Sequence, residues 1–344
     1  MVSKIPNRTT ALLPDRHPQT ELFICDLADA VLKDDMASME HPIFTLSKKP
    51  DLRVRRYEHG DKWLEVTPSV KGVATIYDKD VLIYAISQLM AAKQSGRSLG
   101  RKITMSGRDL LVFTNRHTGG RDYELLKDAL VRLRGTTLAT NIETGGEAPT
   151  RIFGLVEEAT IETDPKSQRV RSLAVTLSDW LYAAIEANEV LTLHRDYFRL
   201  RKPLERRIYE IARKHCGAQP QWTVSLEILQ KKSGSSAPAK QFRHAVRQIA
   251  GTNHLPDYLL TVSGGKAIFK NRKISMEIET ARSATRLDPE TFNDARTCAP
   301  GWDVYMLEQE WRGWMASGGL DAPKNPDSAF LGFCRKWAER HGTP

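Results

Sequence analysis

Cysteine is scarce and scattered in this 344-residue chain. Its four cysteines, Cys25, Cys216, Cys298 and Cys334, form no CxxC pair. That pattern argues against disulfides and structural zinc, and it fits a reducing cytoplasm. No run of about 18 or more apolar residues occurs, so no spanning helix and no membrane role are expected. The opening MVSKIPNRTTALLPDRHP has no apolar stretch of the kind a secretory signal needs. The nine histidines are isolated, with no His-x-His pair, which leaves a metal-dependent nicking centre without ligands. Tyr197 stands near His194 in HRDYF, but nothing nearby supplies a second ligand. A phosphate-binding GxxxxGK(S/T) loop is also missing, and Gly264-Gly265-Lys266 reads as a hairpin turn. Asp78-x-Asp80 opens a helix and is read as capping rather than metal binding. We therefore expect no catalytic centre, no cofactor and no metal.

Positive charge is present in excess, and it is unevenly placed. Apolar residues make up 40% and charged residues 27%, as in a globular chain of two or three domains. The formal net charge is +9. Between Arg195 and Lys273, 17 Lys/Arg face 5 Asp/Glu, whereas from Glu277 to the end 8 face 11. About eighty residues thus carry more than the whole excess. Phosphate is the natural counter-charge, because release of its condensed counterions drives most nucleic-acid affinity.

The periodicity predicts an α+β chain. Residues 1–75 form a β-rich segment with β-like runs at 41–47, 52–60 and 62–69, separated by Lys49-Pro50-Asp51, His59-Gly60-Asp61 and Pro68. A helix follows from Asp78 to Gly96. A short helix is expected over 106–120, ending at Gly119-Gly120, and a third over 121–135 with Tyr123, Leu126, Leu130 and Leu133 inward. Strands TTLATNIE and RIFGLVEEATIE, joined by TGGEAPT, complete a helix-turn-helix with a wing, and a helix over 177–188 closes the unit. The order then recurs: helices over 198–217, 225–234 and 237–251, then a hairpin over 258–273 turning on Ser263-Gly264-Gly265. Tandem winged-helix domains at 76–189 and 190–275 are the expectation, the second binding DNA more strongly. A helical, tryptophan-rich segment occupies 288–344, with helices near Val304–Met315 and Ala329–Arg340. It is either a small capping module or a docking site for a partner.

The sharpest feature is the helix over 237–250. With Phe242, Val246 and Ile249 inward, Lys240, Arg243, His244 and Arg247 fall on the opposite face, flanked by Gln241 and Gln248, and no acid occurs between Pro238 and Ala250. Arg matches guanine bidentately and Gln matches adenine, so this face suits the major groove of double-stranded DNA. Lys266 and Lys270 are candidates on the hairpin. Arg201, Lys202 and Arg206 are candidate phosphate contacts ahead of it, although Arg207 and Arg213 can equally pair with Glu205 and Glu210. In the first unit the corresponding helix mixes Glu124 and Asp128 with Lys127, Arg132 and Arg134. Those three, with Arg151, are weaker candidates for which a solvated face serves equally well.

Several long stretches resemble the replication initiator protein A family of bacterial plasmids (RepA/TrfA-like initiators). They are SMEHPIFTLSKKPD at 38–51, GVATIYDKDVLIYAISQL at 72–89, GGRDYELLKDALVRLRGTTLATNI at 119–142 and LERRIYEIARKHCG at 204–217. The resemblance covers most of residues 20–275. It implies two winged helices, binding to directly repeated origin sites (iterons), melting or bending of the origin, and recruitment of the host initiator DnaA and the replicative helicase. It also implies a monomer–dimer equilibrium, autorepression, and dominance of the second winged helix. A transcriptional repressor without a replication role would share the recognition helix but rarely needs two unequal winged helices.

Overall fold

The computed structural model describes residues 12–17, 31–97, 100–142, 150–164, 170–274, 287–317 and 323–342. Cys25 and nearly all of the TGGEAPT turn lie outside them. The chain is mixed α/β and divides into two compact units, Met1–Asn271 and Arg272–Pro344.

The first unit opens with β1 (Lys33–Asp35) and α1 (Met36–Glu40), then a hairpin of β2 (Arg55–His59) and β3 (Lys62–Thr67). Two of the three expected β runs thus form strands. The third, 41–47, makes only a single bridge from Thr45 to Thr75. Its Ile43 and Phe44 are buried instead, filling the core from a segment that Pro42 and Pro50 keep out of a ladder.

Helix α2 (Lys79–Gln94) is buried on every side from Lys79 to Met90, as befits a helix at the centre of a unit. Asp78 precedes it but makes no capping bond. Its carboxylate accepts from Thr75 N at 2.8 Å and from Arg132 at 2.7 and 2.8 Å, so the expected cap is instead a clamp. After α2 come β4 (Lys102–Ser106), α3 (Gly107–Phe113) and α4 (Gly120–Gly135). Ser106 caps α3 as its sequence predicts, with its hydroxyl accepting from Asp109 N. The helix stops at Phe113, well before the expected glycines, because Thr114 returns its hydroxyl to Leu110 O and Asn115 takes φ +55°.

The hairpin after α4 differs from expectation. Strands β5 (Thr137–Thr140) and β6 (Arg151–Gly154) do pair, but they extend the N-terminal sheet in the order β2-β3-β5-β6. The hairpin that returns to the helices is β7 (Val156–Thr163) with β8 (Val170–Leu177), in the order β4-β8-β7. RIFGLVEEATIE therefore splits at Gly154, where an added Cβ would lie 3.0 Å from Arg134 O. A side chain there would press on the end of α4 as the chain leaves one sheet for the other. Helix α5 (Asp179–Glu186) follows, capped by Ser178, and β9 (Val190–Thr192) pairs back onto β1.

The second copy of the order is α6 (Pro203–His215), β10 (Gln221–Ser225), α7 (Leu226–Ser233), α8 (Ala239–Thr252), β11 (Tyr258–Ser263) and β12 (Lys266–Asn271). Its sheet order, β10-β12-β11, repeats β4-β8-β7 strand for strand, with the last strand in the middle. Pro203 sits in the first turn of α6, so residues 199–201 precede the helix rather than belonging to it. One apolar core runs from Leu12 to Phe269 through both copies.

The other unit has its own core. It consists of α9 (Thr291–Cys298), α10 (Val304–Ser317) and α11 (Pro326–His341), packed through Leu307, Trp311, Phe330 and Cys334. Burial and the neighbouring Cys298 push the Cys334 thiol up to about 11.

Candidate nucleic-acid interface

Helix α8 buries Phe242, Val246 and Ile249 against its own sheet. Their steps of 4 and 3 turn the remaining residues outward. Lys240, Gln241, Arg243, His244, Arg247 and Gln248 are all exposed. The ring Nε2 of His244 lies 3.0 Å from the Gln248 amide nitrogen, one helical turn away. The helix ends at Asn253, whose φ of +48° supplies the left-handed cap.

The preceding turn is held by several contacts. Ser225 caps α7 by accepting from Ile228 N, and Gln230 Nε2 donates to Ala237 O at 2.7 Å. Gly234 is required twice over: its φ is +68°, and an added Cβ would meet Pro42 at 2.6 Å. On the hairpin, Gly264 and Gly265 both take positive φ, as a tight two-residue turn needs. Lys266 and Lys270 are exposed on the face opposite Ala267 and Phe269. Helix α8 and this hairpin thus present eight of the expected residues together, and none is an acid.

The structure separates the three basic residues ahead of α8. Arg201 and Lys202 are exposed. Arg206 is 4% exposed and is withdrawn from any phosphate: its Nη1 donates to Asp80 of α2 at 2.7 Å, and its guanidinium lies 4.8 Å from the Tyr77 ring centre. Arg207 is buried as well, pairing with Glu210 at 3.1 Å and donating to the Ser38 and Met39 carbonyls. Arg213 donates to Thr192 O rather than to a carboxylate.

Of the weaker candidates, Arg132 is committed to Asp78 and Lys127 pairs with Glu124 at 2.9 Å. Arg134 is exposed, and Arg151 is half-buried on β6, in the N-terminal sheet and not in a wing. The first copy's hairpin instead exposes Glu157, Glu158 and Glu162.

Sequence reasoning missed the ionic joint between the two copies. Lys79 of α2 is fully buried and lies 2.5 Å from Asp34 and 3.2 Å from Glu210 of α6. Burial disfavours its ammonium, but Asp34 and Glu210 outweigh that and hold its pKa above the ordinary lysine value. Glu210 also accepts from Tyr197 at 2.6 Å. The signal was present in Lys79-Asp80, two charges at the head of an apolar helix, and in the run of charges Glu205-Arg206-Arg207 set between Leu204 and Ile208.

A sequence profile described as replication initiator protein A matches residues 33–260. The chain belongs to the replication initiator protein A family. A relative from Wigglesworthia glossinidia brevipalpis, named as a replication protein, is 38% identical over 242 residues, covering 69% of this chain and 88% of its own. Among solved structures, domains 2–3 of RctB align with a TM-score of 0.47 at 9% identity, covering 69% of this chain and 97% of theirs. A selenomethionine form of those domains aligns with a TM-score of 0.46 at 12% identity, covering 66% of this chain and 94% of its own. The matched segment of this replication initiator ends before its tryptophan-rich unit. No helix among the described residues is long and apolar enough to cross a membrane.

Proposed function

We propose that the chain initiates plasmid replication by binding directly repeated double-stranded sites at the origin. In this reading each copy of the helix–strand–helix–helix–hairpin order is a winged helix. Helix α8 enters the major groove, with β11–β12 as its wing. The observation that carries it is the acid-free exposed face of α8, joined by Lys266 and Lys270. Arg243 and Arg247 read bases, while Lys240, Arg201, Lys202 and the two hairpin lysines hold phosphates.

The protein acts without a catalytic centre, in the bacterial cytoplasm on plasmid DNA, opening or bending the origin and recruiting DnaA and the replicative helicase. A monomer–dimer equilibrium sets which form binds. Footprinting on the DNA flanking its own gene, at about 150 mM salt to suppress nonspecific binding, tests the reading. Several evenly spaced direct repeats are the expected result. A single inverted repeat over a promoter would make the protein a repressor, and no protection would remove DNA binding altogether.

A further inference from the structure

The tryptophan-rich unit holds a groove of about 750 Å³ between α10 and α11. A file of rings lines it: Trp314 and Phe333 lie 6.2 Å apart, Phe333 and Trp337 5.7 Å, and Trp337 and His341 4.4 Å. Trp314 is 54% exposed, which is unusual for so large an apolar surface. Along one rim stand Lys336 and Arg340, four residues apart on α11 and both exposed. The Trp337 indole N–H is buried and has no hydrogen-bond acceptor among the described residues.

The rim differs in charge from the segment as a whole. From Glu277 to the end the sequence carries 11 acids and 8 Lys/Arg, yet the residues lining the groove include Lys336 and Arg340 against the single acid Glu310. A long polyanion would gain little from two cations, since nucleic-acid affinity grows with each phosphate neutralised. A short segment of two or three acids beside one large apolar side chain meets only the local pair. The rings, tilted 35–37° to one another, form the walls of a pocket for such an anchor.

We infer that this groove binds an acidic peptide segment carrying one aromatic side chain, with the ring seated against Trp314, Phe333 and Trp337 and the carboxylates on Lys336 and Arg340. The inference deepens the recruitment part of the proposed function by naming the class of partner segment. Peptide binding is measured without DNA, so the two readings can fail separately.

The test is fluorescence anisotropy of the full-length protein with a labelled ten-residue peptide of aspartate and glycine around one phenylalanine. Saturable binding is expected, weakened at least tenfold by Lys336→Glu with Arg340→Glu and at least fivefold by Trp314→Ala. All three are exposed positions, and circular dichroism checks that each variant is folded. Replacing the peptide's phenylalanine by serine should also cost at least fivefold. Absence of binding, or equal binding of the serine peptide and of the charge-reversed variant, would overturn the inference. So would tighter binding of a labelled single-stranded oligonucleotide that these substitutions abolish, which would make the groove a base-stacking site.

Discussion

Helices α4 and α8 occupy the same place in two copies of one topology, yet α4 meets solvent with mixed charge and α8 with basic charge alone. The outer face of α8 carries Lys240, Arg243 and Arg247 with two glutamines and no acid. That of α4 sets Arg121 and Arg134 beside Glu124 and Asp128, the acids engaged with Lys127 and Lys71, and exposes Leu125 and Val131. The hairpins follow their helices: Lys266 and Lys270 in one copy, and Glu157, Glu158 and Glu162 with Arg171 in the other. A fold repeated within a chain need not repeat its function, because the buried residues that specify it leave the exposed face free to vary.

The largest effect should come from breaking the basic face. Arg243→Ala with Arg247→Ala should cost up to about 6 kcal/mol of specific binding, since each bidentate Arg–guanine pair is worth about 1–3. Lys127→Ala with Arg134→Ala in α4 should leave specific binding nearly intact. Gel-shift titrations on the footprinted site compare the two, and equal losses would erase the contrast. Next, Arg206→Ala should destabilise the fold by about 3 kcal/mol in urea titration, the low end for a broken buried pair because Asp80 keeps Arg116 as a partner. Its neighbour Arg201→Ala should leave stability unchanged and flatten the salt dependence of DNA binding by about 0.9 in log–log slope.

A smaller effect sharpens the comparison from the other side. Glu124→Lys with Asp128→Lys should steepen that salt slope, by up to about 0.9 per added phosphate contact, without improving discrimination between sites. The smallest concerns acid. Burial opposes ionisation of Glu205, but the His254 ring 3.4 Å away and a hydrogen bond from Lys202 N hold its carboxyl below the ordinary value. With the folded pKa depressed, its stabilisation is complete above the unfolded value near 4.5 and is lost as pH falls through the folded one. Glu205→Gln should therefore give a shallower fall in urea midpoint below about pH 4.5.

Much of the second copy was legible because its local signals agree. Gly234 after a helix, the Phe242–Val246–Ile249 stripe and the two-glycine turn each point to one structure, and each is found there. The six α8 candidates are exposed as expected for the same reason. The first copy was harder to read. RIFGLVEEATIE alternates like one strand, and nothing local shows that Gly154 passes the chain to another sheet, since the partners of β5 lie about seventy residues earlier in β3. Arg206 failed as a candidate for a related reason. Helical spacing places it beside Arg201 and Lys202, but the decisive partner, Asp80, is 126 residues away. Sequence periodicity gives the face of a helix, not what another segment lays against it.

The joint of Lys79, Asp34, Glu210, Arg206 and Asp80 and the face of α8 are both built from charges, but they belong to different ionic regimes. Mobile ions screen exposed charges over about 8 Å at physiological strength and reach buried pairs much less. Added salt should therefore weaken the proposed DNA binding well before it loosens the buried joint.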